Sequence, residues 1–170
     1  LSDAAVAAAT GSTEHFYRTV SPLGLRALVA EDNVVNRRLS ELILRKRGFE
    51  VDTAVNGAEA LSLWEQGGHS VILMDCHMPE MDGCEAARRI RSREASEGRG
   101  YVPIIALSAS VSDRDREACL DSGMDEFLTK PIEVARLNQV LESLLDLSMA
   151  SRSAAPPRES TTRVAPSRDF

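Results

Sequence analysis

Residues 71–75 of this chain read Val-Ile-Leu-Met-Asp, and residues 76–83 read Cys-His-Met-Pro-Glu-Met-Asp-Gly. Four apolar residues in succession are typical of a strand that is buried on both faces, as in a parallel sheet. The run stops at the carboxylate of Asp75, and the Pro and Asp-Gly that follow it favour turns. The sequence therefore places Asp75 where a strand ends and a loop begins, the edge at which open α/β sheets bind ligands.

Apolar runs of the same kind recur on both sides of this strand, separated by segments with helical spacing. Strict alternation of strands and helices predicts a parallel sheet with helices on both faces, joined by right-handed crossovers. The predicted strands occupy 25–30, 50–55, 71–75, 103–107 and 126–129.

The helices are predicted from apolar residues spaced three or four positions apart. In the first helix Val35, Leu39, Leu42 and Ile43 share one face, the pattern of a face that packs on a core. Residues 92–100, after the third helix, are expected to form a polar loop. The fourth helix, which begins near Ser112, is the least amphipathic of the set.

Composition limits the classes of protein to which the chain can belong. Of its 170 residues 43% are apolar and 27% charged, and no apolar run is long enough to span a membrane. A net charge of −6, without a basic recognition helix, argues against direct nucleic-acid binding. We expect a linker at 1–24, one domain at 25–147 and a disordered tail at 148–170.

The three cysteines are Cys76, Cys84 and Cys119. Their odd number and spacing indicate neither a disulfide framework nor a zinc site. Each is interpreted as a small buried apolar residue. Cysteines of this kind favour a reducing compartment, so we expect a cytoplasmic segment that makes no membrane contact itself.

The residues that end the predicted strands carry reactive or charged groups. Glu31 and Asp32 follow the first strand, Asp75 ends the third, Ser108 follows the fourth and Lys130 follows the fifth. In a parallel sheet these side chains gather at one edge, where three carboxylates repel one another unless a cation is present. Mg²⁺ suits such a site. Each residue alone could be a cap, a turn or a surface group, but together they predict phosphoryl transfer to a carboxylate nucleophile.

With these residues the chain resembles a response-regulator receiver domain over residues 25–147. The resemblance implies an α/β fold of the flavodoxin-like, doubly wound (βα)5 type, with five parallel strands in the order 2-1-3-4-5. The motifs that carry it are Leu-Val-Ala-Glu-Asp-Asn at 28–33, Met-Asp-Cys-His-Met-Pro-Glu-Met-Asp-Gly at 74–83, Ile-Ala-Leu-Ser-Ala at 105–109 and Phe-Leu-Thr-Lys-Pro at 127–131.

The resemblance also implies roles for the residues at the strand ends. Asp75 would accept the phosphoryl group, with Ser108 and Lys130 in contact with it. Ser108 and Phe127 would form the conformational switch, and Lys130-Pro131 would be a cis peptide. The imidazole of His77 would either approach the phosphoryl group or be exposed on its loop. The implied Mg²⁺ ligands are Asp32, Asp75, Glu31 through a water, and the backbone carbonyl of His77.

Three features resemble receivers attached to hybrid sensor histidine kinases: Glu-Asp-Asn at 31–33, the motif at 74–83 and the polar segment at 92–100. The expected function is that of a phosphorelay receiver, with a histidine kinase or a histidine phosphotransfer domain as partner. Such a domain is not a stand-alone enzyme, because it catalyses only its own phosphorylation and dephosphorylation. The start at Leu1 fits a piece of such a kinase, and a stand-alone regulator is the alternative.

Three other interpretations use a similar arrangement of residues. A phosphate-independent interaction module would keep the fold but has no need of the acidic residues, the serine and the lysine. A phosphatase of the haloacid dehalogenase type carries a second aspartate two positions after its nucleophile, where this chain has His77. A flavodoxin needs a Ser, Thr or Gly phosphate loop after its first strand, where Glu31 and Asp32 would repel a phosphate.

Overall fold

A computed structural model describes residues 24–110 and 112–153. Five parallel strands form one sheet in the order β2-β1-β3-β4-β5, which confirms the predicted topology. The strands are β1 (Arg26–Ala30), β2 (Glu50–Ala54), β3 (Val71–Asp75), β4 (Ile104–Ser108) and β5 (Glu126–Thr129). The helices are α1 (Val34–Lys46), α2 (Gly57–Glu65), α3 (Gly83–Glu97), α4 (Asp113–Asp121) and α5 (Val134–Ser153).

The sheet has an apolar core on each face. Side chains alternate along β3, so that Ile72 and Met74 pack beneath α2, α3 and α4, while Val71 and Leu73 pack beneath α1 and α5. All five residues of β3 are buried, and so are all five of β4. This double burial explains the unbroken apolar runs in the sequence.

Of the four residues predicted to form the inward face of α1, Ile43 alone is buried. Val35 is 70% exposed, and Leu39 and Leu42 are each 44% exposed. The side chains of α1 that are buried are Ser40, Ile43 and Leu44, and the Ser40 hydroxyl donates to the carbonyl of Asn36. Helical spacing shows which residues share a face, but the direction of that face depends on how the helix sits on the sheet.

The predicted polar loop at 92–100 is also wrong over most of its length, since α3 continues to Glu97. Glu94 lies on the inner side of these added turns, and its Oε1 accepts from the backbone N–H of Val102 at 2.9 Å. Gly98 ends the helix in the left-handed conformation, at φ 62°. A polar segment can therefore remain helical here, since Glu94 is buried with its partners and Gly98 supplies the cap.

The last helix passes the predicted end of the domain at 147 and continues to Ser153. No Gly or Pro interrupts this segment before Pro156, so nothing in its backbone opposes a helix. Residues 1–23 of the predicted linker and 154–170 of the predicted tail lie outside the described residues. Among the helices that are described, none has the length and apolar character needed to cross a bilayer.

Arg91 connects α3 to the two strands beyond it, and its replacement is our first prediction. Its guanidinium donates to Asp125 Oδ2 at 2.9 Å, to Glu94 Oε2 at 2.8 Å and to the carbonyls of Val102 and Gly123. Arg91→Ala leaves two little-exposed carboxylates without their cation. We expect the free energy of unfolding in urea to fall by about 2–3 kcal/mol.

The matched control for this prediction lies two residues earlier on the same helix. Arg89 is half exposed and, among the residues that the structure describes, pairs with Glu85 alone, at 2.8 Å. Arg89→Ala should change the free energy of unfolding by less than about 1 kcal/mol, because exposed ion pairs contribute little. Equal effects of the two substitutions would contradict the structural role assigned to Arg91.

Candidate phosphoryl-transfer site

The sheet itself positions the residues at the strand ends. The ladder continues past the strands: the N–H of Glu31 donates to Ala54, that of Cys76 to Leu107 and that of Lys130 to Ser108, at 2.8–3.0 Å. The parallel register pairs Asp75 with Leu107, which places Ser108 one residue further along β4 at the same edge. The carboxyl ends of β1, β3, β4 and β5 thus bring together the groups that were predicted to meet.

Lys130 is the centre of the cluster. Its Nζ lies 3.0 Å from Asp75 Oδ2 and 3.0 Å from Glu31 Oε2. Glu31 is fully buried and Asp75 is 2% exposed, so the ammonium compensates two carboxylates that water hardly reaches. Charge compensation of this kind is what allows the carboxylates to remain inside the fold.

The pKa values follow from this packing. Burial raises the pKa of Glu31, and the negative charge of Asp75 adds to this effect. The hydrogen bond from Lys130 lowers the pKa of Glu31, but the net result is a pKa above its usual value. Burial by itself lowers the pKa of Lys130, but its hydrogen bonds to Asp75 and Glu31 outweigh burial, so its pKa is raised. The lysine is therefore held in its charged form.

Asp32 completes an acidic group with an open side. It is exposed, whereas Glu31 and Asp75 are buried, and one carboxylate oxygen from each of the three lies within 4.8 Å of the others. Oxygen ligands are those that Mg²⁺ prefers, and the exposed member leaves room for the waters that this ion retains. The donor set thus fits a magnesium ion.

The first turn of α1 holds the acidic pair in place. Asn33 caps α1 by accepting from the N–H groups of Val35 and Asn36, and its own N–H donates to Glu31 Oε1 at 3.1 Å. Arg37 donates to the carbonyl of Glu31 at 2.8 Å. Arg37 was not predicted as a site residue, because the sequence shows it only as a basic residue one turn into the helix.

The other predicted site residues lie around this cluster. His77 is exposed, and its N–H donates to Asp75 Oδ1 at 3.1 Å. Ser108 is fully buried, and its Oγ accepts from the N–H of Ser110 at 3.2 Å. The Lys130-Pro131 peptide is cis, as expected.

Phe127 lies apart from the acidic group, on β5. It is partly buried and packs against the core beneath α2, α3 and α4. It also borders an open cavity of about 320 Å³, which the sequence did not predict. The other residues that line this cavity are Asp113, Arg116, Leu128, Thr129 and Arg136.

Comparison with known proteins agrees with this geometry. Residues 27–142 match the family model described as the response regulator receiver domain. The chain is 41% identical over 123 residues to hybrid signal transduction histidine kinase I of Dictyostelium discoideum, a match that covers 69% of the chain but 7% of the kinase. The chain therefore spans a small part of that relative.

Two solved structures have folds similar to that of this chain. The receiver domain of sensor histidine kinase PA1611 from Pseudomonas aeruginosa, with magnesium in its active-site cleft, is 41% identical, with a TM-score of 0.66 over 72% of this chain and 98% of that one. The Saccharomyces cerevisiae complex of the histidine phosphotransfer protein Ypd1 with the receiver of Ssk1 contains a chain 34% identical, with a TM-score of 0.68 over 73% of this chain and 90% of that one. With its sheet order, its acidic edge and a family match over most of its length, this chain belongs to the response regulator receiver domain family of two-component systems.

Proposed function

We propose that Asp75 is the phosphoacceptor of this receiver and takes its phosphoryl group from a phosphohistidine. The observation that carries the proposal is the position of Asp75, which ends a buried strand, lies 3.0 Å from the Lys130 ammonium and has two further carboxylates beside it. A nucleophile with a fixed cation and a hard-metal donor set next to it is the arrangement that phosphoryl transfer requires.

In the proposed step a carboxylate oxygen of Asp75 attacks phosphorus. The new O–P bond forms as the P–N bond of the phosphohistidine breaks, and its electron pair returns to the imidazole nitrogen. Lys130 offsets the negative charge of the transferred group, and the hydroxyl of Ser108 donates a hydrogen bond to it. Mg²⁺ would supply the remaining positive charge when held by Asp32, Asp75 and the carbonyl of His77, with Glu31 bound through a water.

The switch belongs to the same proposal. The phosphoryl group would draw Ser108 towards it and allow Phe127 to turn inward, which changes the surface formed by α4, β5 and α5. The cavity beside Phe127 lies in this region, so rotation of that ring would reshape a surface that is already concave. A partner that binds there would distinguish the two states.

We propose further that the chain is part of a hybrid sensor histidine kinase and works in the cytoplasm, without direct contact to nucleic acid or membrane. The 41% identity to a hybrid kinase supports this parentage. The domain would not be a stand-alone enzyme and would act only on its own aspartyl phosphate.

Incubation with acetyl phosphate and Mg²⁺, followed by intact mass measurement, tests whether the chain accepts a phosphoryl group. No gain of a phosphoryl group would favour the interaction module.

The surface of α1 supports a histidine phosphotransfer domain as partner. Val34, Val35, Leu39 and Leu42 are exposed, and we call them the α1 patch. Exposed apolar residues grouped on one face are typical of a docking surface. The patch begins directly after the acidic residues, because α1 starts at Val34, so a domain docked there would bring its histidine to the site. Ypd1 binds a receiver in the yeast complex.

A second prediction tests this surface. The double substitution Val35→Asp and Leu39→Asp should weaken binding to Ypd1 at least tenfold, about 1.4 kcal/mol, because it places charge in the apolar contact. Fluorescence anisotropy measures the affinity. Phosphorylation by acetyl phosphate should be retained, since both side chains are exposed on α1 and neither belongs to the acidic group, and this separates docking from chemistry.

The control for the α1 patch is Leu120→Asp. Leu120 is also exposed, but it lies on α4, which covers the other face of the sheet. This substitution should leave the affinity for Ypd1 within about twofold. Unchanged binding by the α1 double variant, or no binding by the unaltered chain, would contradict the proposed partner or its surface.

A further inference from the structure

Three cysteines that are distant in sequence meet on the face of the sheet covered by α2, α3 and α4. Cys76 is the first residue after β3, Cys84 is the second residue of α3, and Cys119 lies in α4. The sulfurs of Cys76 and Cys119 are 2.8 Å apart and buried. Cys84 is partly buried and packs against the core cluster that contains both. We call these residues the thiol cluster; all three are free cysteines.

The members of the thiol cluster differ in exposure and in charge. Cys84 is partly exposed, whereas the other two are buried, so an oxidant in solution reaches Cys84 first. Hydrogen bonds from the thiols of Cys119 and Cys76 hold the pKa of Cys84 well below its usual range, and the charge of Arg88 acts in the same direction.

The backbone favours a thiolate at the same position. Cys84 lies in the first turn of α3, a helix of 15 residues that Asp82 caps. Unpaired N–H groups and the helix dipole stabilise negative charge at a helix start, and cysteines placed there are commonly reactive. Arg88 follows one turn later. Its exposure, its position at the helix start and its two neighbouring thiols thus all favour Cys84 as the reactive cysteine.

We propose that the thiol cluster is a redox-modification site, in which hydrogen peroxide oxidises Cys84 and Cys119 resolves the product as an intramolecular disulfide. The Cys84 thiolate attacks one peroxide oxygen, an S–O bond forms, the O–O bond breaks, and hydroxide leaves and takes a proton to become water. Cys119 then attacks the sulfenic sulfur, an S–S bond forms, the S–O bond breaks, and hydroxide leaves with the Cys119 proton as a second water. Two thiols together lose two electrons, and one peroxide is reduced to two waters.

The disulfide would fasten a helix that the fold holds weakly. All nine residues of α4 are described, and Cys119 is the one whose side chain is buried. A covalent bond from this residue to the start of α3 removes the freedom of α4 to move on the sheet. This consequence follows from packing alone and does not depend on phosphorylation of Asp75.

The test uses the reduced, desalted chain and an equimolar amount of hydrogen peroxide. We expect the intact mass to fall by two hydrogen atoms, the number of free thiols to drop from three to one, and proteolytic mapping to join Cys84 to Cys119. Dithiothreitol should restore the mass. An unchanged mass, oxygen added at all three sulfurs, or disulfides only between separate chains would overturn the proposal.

Variants identify the roles within the thiol cluster. Cys84→Ser should slow oxidation at least about tenfold, and Cys119→Ser should leave Cys84 as a sulfenic acid that dimedone traps. Cys76→Ser should still form the disulfide. If Cys119→Ser fails to fold, mapping of the unaltered chain still decides the pairing. Hydrogen exchange in α4 should become slower on oxidation, and unchanged exchange would contradict the fastening of α4.

Discussion

Replacement of Asp75 by asparagine is expected to abolish the Mg²⁺-dependent gain of a phosphoryl group from acetyl phosphate. The amide has nearly the shape of the carboxylate but is not a nucleophile, and it removes one of the three clustered carboxylates. We expect phosphorylation at least about a hundredfold slower than in the unaltered chain, measured by intact mass. In the unaltered chain, chelation of Mg²⁺ should also suppress the gain, because the carboxylates would then repel the incoming phosphate.

The fold should survive this substitution. Lys130 would keep its 3.0 Å contact with Glu31, and the number of buried negative charges would fall. Circular dichroism and urea unfolding check that the variant is folded. The matched control is Asp121→Asn, an exposed aspartate at the end of α4, which should be phosphorylated like the unaltered chain.

Two results would count against Asp75. Phosphorylation that persists in Asp75→Asn would place the acceptor at another residue. No phosphorylation of the unaltered chain, with Ypd1 still bound through the α1 patch, would favour the interaction module. The outcome at the thiol cluster is independent of both, since it is read from disulfide formation.

Replacement of Gly83 by alanine is expected to lower the free energy of unfolding by about 3 kcal/mol or more. A Cβ at this position would clash with the carbonyl oxygen of Asp75 and would lie 2.9 Å from Met74 Cγ. The first of these contacts is with backbone, which cannot rotate away, so α3 would have to move off β3. Alanine favours a helix by up to about 1 kcal/mol, but this gain is smaller than the cost of overpacking.

Gly83→Ala should alter the phosphoryl-transfer site as well as lower the free energy of unfolding. The N–H of Gly83 donates to the carbonyl of Cys76 at 3.2 Å, so a displaced α3 also displaces the loop after Asp75. Gly100→Ala is the matched control, because a Cβ there meets nothing within 4 Å and the backbone needs no left-handed conformation. Its free energy of unfolding, from urea titration, should change by less than about 0.5 kcal/mol. Equal stability of the two variants would show that α3 lies further from β3 than described.

Local patterns predicted much of this molecule. Unbroken apolar runs located the strands because both faces of the sheet are buried, and the groups that follow those runs were expected to meet because parallel strands end at one edge. The structure brings Glu31, Asp75 and Lys130 into contact at that edge. The order 2-1-3-4-5 came from the family resemblance of the motifs rather than from spacing. The roles of these residues in phosphoryl transfer, and those of Ser108, His77 and Phe127, remain predictions.

Other features depended on contacts that sequence spacing does not encode. The apolar stripe of α1 is present, but Ile43 alone of its four members is buried, because the helix packs on the sheet through Ile43 and Leu44. The last turns of α3 were predicted as a polar loop, whereas in the structure they are helical, with Glu94 buried against Arg91 and Val102. A buried polar residue such as Glu94 therefore does not indicate a loop, because its hydrogen-bond partners compensate for its burial.

The thiol cluster and Gly83 show most clearly which features depend on tertiary packing and not on local sequence. Cys76 and Cys119 are 43 positions apart, and their meeting requires that α4 covers the face of the sheet on which the Cys76 side chain packs. Gly83 looked like one half of a turn, whereas the structure shows that it allows α3 to touch the backbone of β3. The sequence by itself determined where strands end and which chemical groups stand there, because these are local properties. The tertiary structure decided which faces point outward and which distant side chains touch, because those depend on packing across the whole chain.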